Sequence, residues 1–472
     1  MIETGRLKRN SLGGFRLVWQ AMGTLSVAAD AAYLLTGVVE YALGATPLAL
    51  VLGVFAYLFI MNTGYQFSKH VNSAGSYYTF AGKGLGGVAG TFQAWNMAFY
   101  GLIGYGSFGF LGLAAFITLL DPTYKGIIFW LPVAFFAALI SFIFTHRGMK
   151  ISTDYQIAGG VIEVAVLLIG SALIIINAGK LNTLAVFSTK YVSGISQLLF
   201  AMIYSMILYF GTTVSITAMG EEAITPQKTI KKALIGTVIL SGITLIIVSY
   251  AFTIGWGPSA MASFAGSNDP GVILFSKLNP VIYILLILVT VNSFMGYNIS
   301  VSNADSRIFY SFARDGILFL PESIAKIHKK YKTPSNAALT IFIMSFIIAV
   351  VFGVLFGPVQ GGLIMLLINA YAAYTEHIVA SISLPFMMKR IGKLRVIEHV
   401  IIPVIGILIL VIIMAGTLIS PEKYPENIAV YIGIAWIPIA GIMTLIEYKL
   451  HPDRVRKAAK MSIEEEEALE PK

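Results

Sequence analysis

Apolar segments of about 20 residues recur roughly twelve times along this chain, and they constrain its fold more than any other feature. A helix of about 20 residues crosses roughly 30 Å of hydrocarbon, whereas the strands of a membrane barrel are about half as long and alternate in polarity. With 57% hydrophobic and 12% charged residues, the chain could not enclose its apolar surface in one soluble core. The segments therefore predict membrane-spanning helices at approximately 16–42, 46–68, 85–118, 126–145, 153–177, 194–219, 230–256, 273–311, 335–356, 361–388, 398–419 and 428–448.

The predicted fold is an all-α integral membrane protein of about twelve transmembrane helices. Residues 1–15 precede the transmembrane domain at 16–448, and residues 449–472 form a polar tail that ends in an acidic run. The first apolar segment is long and is followed by others, so we expect a span rather than a cleaved signal peptide. The chain has no cysteine, which excludes disulfides and thiolate-bound metals.

Lysine and arginine are distributed unequally between the two sides of the predicted domain. The side that carries both termini holds 27 of the 32, and the other side holds Lys125, Lys180, Lys190, Lys277 and Lys423. By the positive-inside rule, we expect both termini to be cytoplasmic in a multi-pass protein of the cell membrane. The net charge of +9 then reflects topology within the lipid bilayer, and we expect no nucleic-acid partner because no soluble domain carries a basic groove. The oligomeric state stays open.

Two predicted spans contain runs of small and hydroxyl-bearing residues. The first span reads GTLSVAAD at 23–30, and the sixth reads YFGTTVS at 209–215. Interruptions in the first and sixth spans are what an inverted five-plus-five repeat produces, with a binding site at the middle of the membrane. The alternative is that these residues only let helices pack closely. Close packing is also our interpretation of Gly82, Gly86 and Gly90 near the start of the third span.

Three motifs carry a resemblance to a known family. SAGSYY at 73–78 follows the second span, GEEAITPQKTIKKA at 220–233 follows the sixth, and Arg307, ARDG at 313–316 and TP at 333–334 close the eighth. They resemble the loop after the second helix, the EEA-x-x-P-x-K-x-I-x-K-A signature and the R…ARDG…TP run of the amino acid-polyamine-organocation superfamily. Within this superfamily the resemblance is to transporters of the amino acid permease type.

The resemblance implies a five-plus-five inverted-repeat transporter with helices one and six interrupted, with repeats at approximately 16–177 and 194–388 and extra helices at 398–448. It implies secondary transport of an amino acid or related amine by alternating access around a midplane site. Free N–H groups of a half-helix would receive the substrate carboxylate, and freed carbonyls would receive the ammonium. The substrate-binding residues it implies are Gly23, Thr24, Ser26, Val27, Ala28, Ala29, Tyr209, Phe210, Gly211, Thr212 and Thr213.

The chain departs from the family pattern in both stretches. Val27 and Ala29 stand where the first-helix pattern has glycine, and Thr212-Thr213-Val214 replace the G-F-E of the sixth. A β-branched residue resists the dihedral angles that glycine allows. We therefore expect a pocket of altered shape and selectivity.

Two acidic residues within predicted spans are candidates for coupling, because ionisable groups in lipid are costly. Glu163 falls in the fifth span, where the resemblance places a lysine in proton-coupled members of the family. A buried carboxyl there could take and release a proton, or could be a structural hydrogen-bonding group. Asp30 could attract a cationic substrate, or could cap the helix that restarts after the interruption.

Other charged residues point to a gate and argue against a metal. Glu221 and Glu222 at the end of the sixth span are expected to order the following loop or an inner gate through ion pairs, with Arg307 as one partner. Glu376 and His377 are adjacent in the tenth span, and neighbours on a helix point in different directions, so we expect no metal site.

Transport is favoured over two other classes of function. An intramembrane enzyme would need a nucleophile and base, or metal ligands at helical spacing, and we identify no catalytic residue. A channel would need a repeated pore filter. We expect no cofactor, although a proton or a sodium ion could be the coupling ion; hydroxyls for a sodium site are available at Ser300, Ser302 and Ser306. A carrier of polyamines or other organic cations remains the alternative substrate class.

Overall fold

The computed structural model describes residues 6–419 and 424–459. Its α-helices in the first half of the chain are α1 Gly14–Leu25, α2 Val27–Ala29, α3 Leu35–Ala42, α4 Thr46–Phe67, α5 Tyr77–Leu85, α6 Gly87–Gly104, α7 Gly112–Leu120, α8 Ile127–Arg147, α9 Met149–Ala178, α10 Ile195–Ile207 and α11 Phe210–Thr217. Those in the second half are α12 Pro226–Trp256, α13 Met261–Ala265, α14 Pro270–Ser276, α15 Pro280–Asp315, α16 Ser335–Arg390, α17 Ile402–Ile419, α18 Asn427–Leu450 and α19 Pro452–Lys457.

Shorter helical turns join several of these helices. Segments of π-helix lie at Asp30–Leu34, Tyr105–Leu111 and Ile397–Ile401. The described residues contain no strand, only an isolated bridge between Leu12 and Ala223. The all-helical class predicted from the apolar segments is therefore confirmed.

Ten helices of the described chain are long and apolar enough to cross a membrane: Leu35–Phe67, Gly87–Leu120, Ile127–Arg147, Met149–Leu181, Ile195–Thr217, Pro226–Trp256, Pro280–Asp315, Ser335–Arg390, Ile397–Leu418 and Asn427–Leu450. The sequence predicted about twelve. The difference has two sources. The first predicted span is divided into pieces too short to count, and the ninth and tenth predicted spans join in α16, whose helical geometry fails at Gly357 (φ 78°, ψ 164°) before Pro358.

The first span bends at a residue other than glycine. Helix α1 ends at Leu25, and Ser26 adopts the left-handed conformation with φ 52° and ψ 54°. The Ser26 hydroxyl donates to the Gly23 carbonyl at 3.0 Å and to the Ser293 carbonyl at 3.2 Å. These bonds hold a backbone conformation that costs a β-substituted residue about 1 kcal/mol or more.

The sixth span contains a two-residue turn without a left-handed residue. Helices α10 and α11 are separated by Leu208 and Tyr209, both of which keep right-handed helical dihedral angles. The break thus covers Leu208 and Tyr209, at the start of the predicted stretch 209–215, and the residues from Phe210 onward are helical. Gly211, Thr212 and Thr213 stay helical. Gly211 lies close to Thr24 of α1, and Thr213 is hydrogen-bonded to Tyr57 of α4.

Both ends of the described chain meet at one end of the helical bundle, which we call the termini end and define by Leu12, Ala223, Asp315 and Ala459. The Ile224 N–H donates to the Leu12 carbonyl at 2.9 Å, and the Ala459 N–H donates to Asp315 Oδ2 at 3.1 Å. The predicted tail is described only as far as Ala459, so its acidic run lies outside the described residues, as do residues 1–5.

Two of the glycines near the start of the third span pack against the C-terminal segment as well as against each other. A Cβ at Gly90 would lie 3.1 Å from the Ala459 side chain, and a Cβ at Gly82 would overlap it. Gly86 has no such neighbour within 4 Å and has φ 95°. Gly82 and Gly90 therefore make room for the C-terminal segment, and a Cβ at Gly90 would also lie 3.3 Å from Gly82 Cα, so these two glycines also let α5 and α6 pack closely.

Candidate functional site

A cavity lies between the bend at Ser26 and the turn at Leu208–Tyr209, and we call it the central cavity. It has two parts that share four lining residues, Thr24, Tyr100, Gly211 and Tyr297. The Asp30 part also contains Asp30, Phe210 and Asn369, and the Asp305 part also contains Asp305, Gly101 and Ser215. Helices α1, α6, α11, α15 and α16 therefore converge on one space, although their residues are far apart in sequence.

Thr24 forms the wall where α1 meets α11. Its hydroxyl donates to Ser215 Oγ at 2.9 Å, and Gln20 Nε2 reaches the same oxygen at 3.3 Å. A Cβ added at Gly211 would lie 2.5 Å from Thr24 Cγ2. Gly211 is therefore required for the close approach of these two helices beside the cavity.

Glu163 holds the start of α2. Its Oε1 accepts from the Ala28 N–H at 2.7 Å and from the Ser293 hydroxyl at 2.8 Å. Ser293 in turn accepts from the Ala29 N–H at 3.2 Å, and Asn292 Nδ2 lies 3.5 Å from Glu163 Oε2. A carboxyl from α9 therefore occupies the N–H groups that the sequence assigned to the substrate, at the helix end where an anion is favoured.

A second, smaller cavity lies behind α1 and is distinct from the central one. It is lined by Gly23, Glu163, Gln156, Tyr155 and Asn292, with others. Gly23 and Glu163 are thus brought together, in a cavity that neither Asp30 nor Phe210 lines.

The predicted substrate-binding residues divide into two groups in this conformation. Thr24, Phe210 and Gly211 line the central cavity, as does Asp30. The others do not line it: Gly23, Ser26, Val27, Ala28, Ala29, Tyr209, Thr212 and Thr213. Of these, Thr213 shares a 2.7 Å hydrogen bond with the Tyr57 hydroxyl, and the Tyr209 ring packs 5.6 Å from that of Tyr57.

Three buried carboxyls lie in or near the cavity without compensating charge. Asp30, Asp305 and Glu376 are 3%, 4% and 0% exposed. Asp30 Oδ2, Asp305 Oδ2 and both Glu376 oxygens accept no hydrogen bond from the described residues. Buried polar groups normally have partners, so these oxygens are available to a proton or a cation.

Asp305 was not singled out in the sequence, although it lies within the eighth predicted span, two residues before Arg307. Positions two apart on a helix point to nearly opposite sides. Here Asp305 faces the cavity, whereas Arg307 faces the loop after α11. An acid two residues before a paired arginine was the available signal.

At the termini end, by contrast, buried charges are paired. Arg307 Nε lies 2.7 Å from Glu222 Oε2, and the two side chains are 0% and 2% exposed. Arg314 Nη1 lies 3.0 Å from Glu221 Oε1, which also accepts from the Ala74 N–H at 2.9 Å. The ion pairs expected of Glu221, Glu222 and Arg307 are therefore present, and they connect the loop after α11 to α15 and to the turn at 73–78.

The adjacent pair in α16 behaves as two separate groups. His377 Nδ1 is hydrogen-bonded to the Tyr77 hydroxyl at 3.1 Å. The Glu376 carboxyl has no hydrogen-bond partner among the described residues. No group of three or more His, Asp or Glu suited to a metal ion occurs within residues 6–419 and 424–459.

Comparison with known families decides the class. The description of the family called Amino acid permease matches residues 16–457, which is most of the chain. The chain belongs to the amino acid permease family. The predicted resemblance is thereby confirmed, and with it the assignment to multi-pass membrane proteins that transport small molecules. No individual curated protein matches the permease in a sequence search.

The match also defines what lies inside the family region. It includes the central cavity, Glu163 and the ion pairs of the termini end, and it reaches to Lys457, just short of Ala459.

Proposed function

We propose that this permease is a secondary active transporter that moves amino acids across the cell membrane by alternating access. Its transmembrane domain would be a five-plus-five inverted repeat, with the first helix interrupted at Ser26 and the sixth at Leu208–Tyr209. Both termini would be cytoplasmic, which follows from the distribution of lysine and arginine. The termini end is then the cytoplasmic side of the bundle.

The central cavity is the observation that carries this proposal. It is enclosed by the two bends, and its lining combines apolar surface with a few polar groups, among them Asp30, Asn369 and Thr24. Small-molecule sites have this composition. A site at helix interruptions near the middle of the membrane is also what alternating access requires.

The ion pairs Arg307–Glu222 and Arg314–Glu221 support a closed inner gate. Together they fasten the loop after α11 against α15, and the Ser76 and Thr217 hydroxyls share a 2.6 Å hydrogen bond beside them. Opening toward the termini end would have to break these contacts. We therefore assign Glu221, Glu222 and Arg307 to this gate.

Glu163 supplies a means of coupling to protons. Its carboxylate and the substrate carboxylate would compete for the Ala28 N–H, which Glu163 holds at 2.7 Å. A protonated Glu163 is a weaker acceptor and would release this N–H to the substrate. Substrate would then bind together with a proton. Sodium is the alternative ion, and Ser300 is the hydroxyl that supports it, because its Oγ donates to the Gln20 carbonyl of the first helix at 2.6 Å.

A carrier of polyamines or other organic cations remains the second candidate. Asp30 favours it, because this acid lines the central cavity. Glu163 does not, because it lies behind α1.

The test is uptake by the purified permease in liposomes, with a mixed panel of amino acids and amines and with or without a pH gradient. We expect Gly211→Leu to abolish uptake, because the added side chain fills the cavity where Thr24 and Gly211 meet. Gly441→Leu is the matched control, since a Cβ at Gly441 of α18 meets nothing within 4 Å.

Uptake by Gly211→Leu at the level of the control would show that substrate binds elsewhere. Transport of amines alone would favour the second candidate. If no member of the panel is transported, secondary transport of these compounds is wrong.

A further inference from the structure

Asp305 is a buried acid at the wall of the central cavity, and no partner within the described protein explains it. It is 4% exposed, lines the part of the cavity beside Thr24 and Gly211, and has an oxygen without a hydrogen-bond donor. We propose that Asp305 binds a second ammonium group of the substrate and so selects amino acids with an amine side chain. This inference rests on the proposed transport function and names its substrate class.

The described residues around the cavity supply no positive charge. None of the described residues that line either part of the cavity is lysine, arginine or histidine. Arg307, although on the same helix as Asp305, is bonded to Glu222 through Nε and to the Asn303 carbonyl through Nη1 at 3.1 Å. A positive charge at Asp305 therefore has to arrive with the substrate or as a proton.

The helix facing Asp305 is shaped around its carboxyl group. A Cβ at Gly101 of α6 would lie 2.7 Å from Asp305 Oδ2 and 2.8 Å from Cγ. Real side chains do not tolerate such contacts, so glycine at this position allows the carboxyl to stand where it does. The Asp305 carboxyl is therefore closely packed against α6 in the wall of the cavity.

The surroundings of the carboxyl suit an alkylammonium group. Tyr100 and Tyr297 line this part of the cavity, and aromatic rings attract cations. Tyr297 donates its hydroxyl to the Gly104 carbonyl at 3.1 Å, so this hydroxyl is not a donor to Asp305. Glu376 lies close enough to Asp305 to interact with it electrostatically, which makes the region more negative.

The second acid, Asp30, gives the cavity two negative positions. Asp30 and Asp305 lie in the two parts that share Thr24, Tyr100, Gly211 and Tyr297. A substrate with one ammonium would neutralise one acid, and the other would have to take a proton to avoid a buried, unpaired charge. A substrate with an α-ammonium and a side-chain ammonium supplies one positive charge to each of the two acids.

The experiment compares lysine, ornithine, leucine, cadaverine and putrescine in liposomes that contain the full-length permease. We expect wild type to prefer the two amino acids with amine side chains over leucine. Asp305→Asn should lower uptake of lysine about tenfold or more relative to uptake of leucine. The control is Asp269→Asn, which neutralises another buried acid, outside the cavity, and should change neither.

A second variant guards against a folding defect. Gly101→Ala keeps the Asp305 charge but displaces the carboxyl, and it should lower lysine uptake in the same direction by a smaller factor. Unchanged melting temperatures would show that both variants are folded.

Each other outcome has a defined meaning. An unchanged ratio of lysine to leucine uptake in Asp305→Asn overturns the inference and leaves amino acid transport standing. Equal losses for lysine and leucine, together with loss of pH dependence, identify Asp305 as a proton site and also overturn it. Transport of diamines but not of lysine or leucine supports the ammonium subsite and overturns the amino acid part of the proposed function. Leucine uptake with no lysine uptake in wild type contradicts the inference directly.

Discussion

The termini end and the central cavity treat buried charge in opposite ways. At the termini end Arg307 and Glu222 are almost fully buried and form an ion pair at 2.7 Å. Around the cavity, Asp30, Asp305 and Glu376 are as deeply buried, yet each has an oxygen with no donor in the described protein. A buried charge that has a protein partner stabilises one conformation. A buried acid without one is available to a substrate or a proton, which can leave.

The difference fits the tasks that we propose for the two regions. A gate has to hold one arrangement firmly and release it as a unit, and a network of paired charges does this. A site that binds and releases substrate in every cycle has to leave some of its polar groups without protein partners when it is empty. The pairing of charge therefore separates candidate gate residues from candidate binding residues on physical grounds.

The largest expected effect is on stability at the termini end. Glu222→Gln leaves the Arg307 guanidinium buried without a counter-charge, and we expect the free energy of unfolding to fall by about 3–5 kcal/mol. Glu376→Gln is the same chemical change at an equally buried position without a cation. It should alter stability by less than about 1 kcal/mol, because it removes a charge that has no partner.

Denaturant titration of both variants in mixed micelles measures these values. Equal losses in the two variants would break the comparison, since burial alone, and not pairing, would then set the cost. A double variant, Glu222→Leu with Arg307→Leu, should recover most of the stability lost by Glu222→Gln.

Glu163 offers the next largest effect, now on function. Glu163→Gln mimics the protonated acid and should allow substrate to bind without a proton. An inward gradient of one pH unit supplies about 1.4 kcal/mol per proton, or roughly tenfold accumulation. We expect this accumulation to be lost while exchange of internal for external substrate persists. Asp154→Asn is the control on the same helix, because its side chain is half exposed.

If Glu163→Gln still accumulates substrate with an unchanged dependence on pH, Glu163 is structural. Coupling would then have to be sought at Asp30 or at a cation site beside Ser300. Accumulation driven by a sodium gradient in place of a pH gradient would identify the second.

The sequence predicted the membrane class, and it predicted those polar groups that stand in an apolar segment or in a recognisable motif. Apolar segments of membrane length determine the class, and Glu163 and Glu222 stand out as acids in conspicuous places. Asp305 was not singled out, and only the three-dimensional structure shows that it lines the cavity. The sequence also predicted an interruption from 209 onward, but the helix bends before Phe210. Small residues in a helix indicate either a bend or a close contact with another helix. The amino-acid sequence alone does not show that Gly211 contacts Thr24.

A smaller effect is expected where the two helices touch. Gly211→Ala places a Cβ about 2.5 Å from Thr24 Cγ2, so the two groups have to move apart by about 1 Å to reach ordinary van der Waals contact. We expect a several-fold rise in KM for uptake. Adding Thr24→Ser removes the methyl group and keeps the hydroxyl that bonds to Ser215, so the double variant should return toward the wild-type KM. A KM that stays raised would mean that the methyl contact is not what limits binding.

The smallest effect concerns Asp269, an unpaired acid that belongs to neither region. It precedes α14 in the connection between α12 and α15 and is 6% exposed. Burial raises its pKa to about 6 from the ordinary value of 3.8. Between these two values the folded permease keeps a proton that the unfolded chain releases, so stability should fall as the pH rises from about 4 to about 6 and should then level off. Asp269→Asn should remove this slope and raise stability at neutral pH by on the order of 1 kcal/mol, because partial solvation limits the effect. Melting temperatures between pH 4 and pH 8 measure the slope.

Asp121→Asn is a control of opposite sign, since a hydrogen bond from the Thr123 N–H lowers the pKa of Asp121. Neither variant should alter substrate uptake. A loss of uptake in Asp269→Asn would show that an unpaired acid outside the cavity also takes part in transport, and pairing would no longer distinguish the binding region from the rest of the molecule.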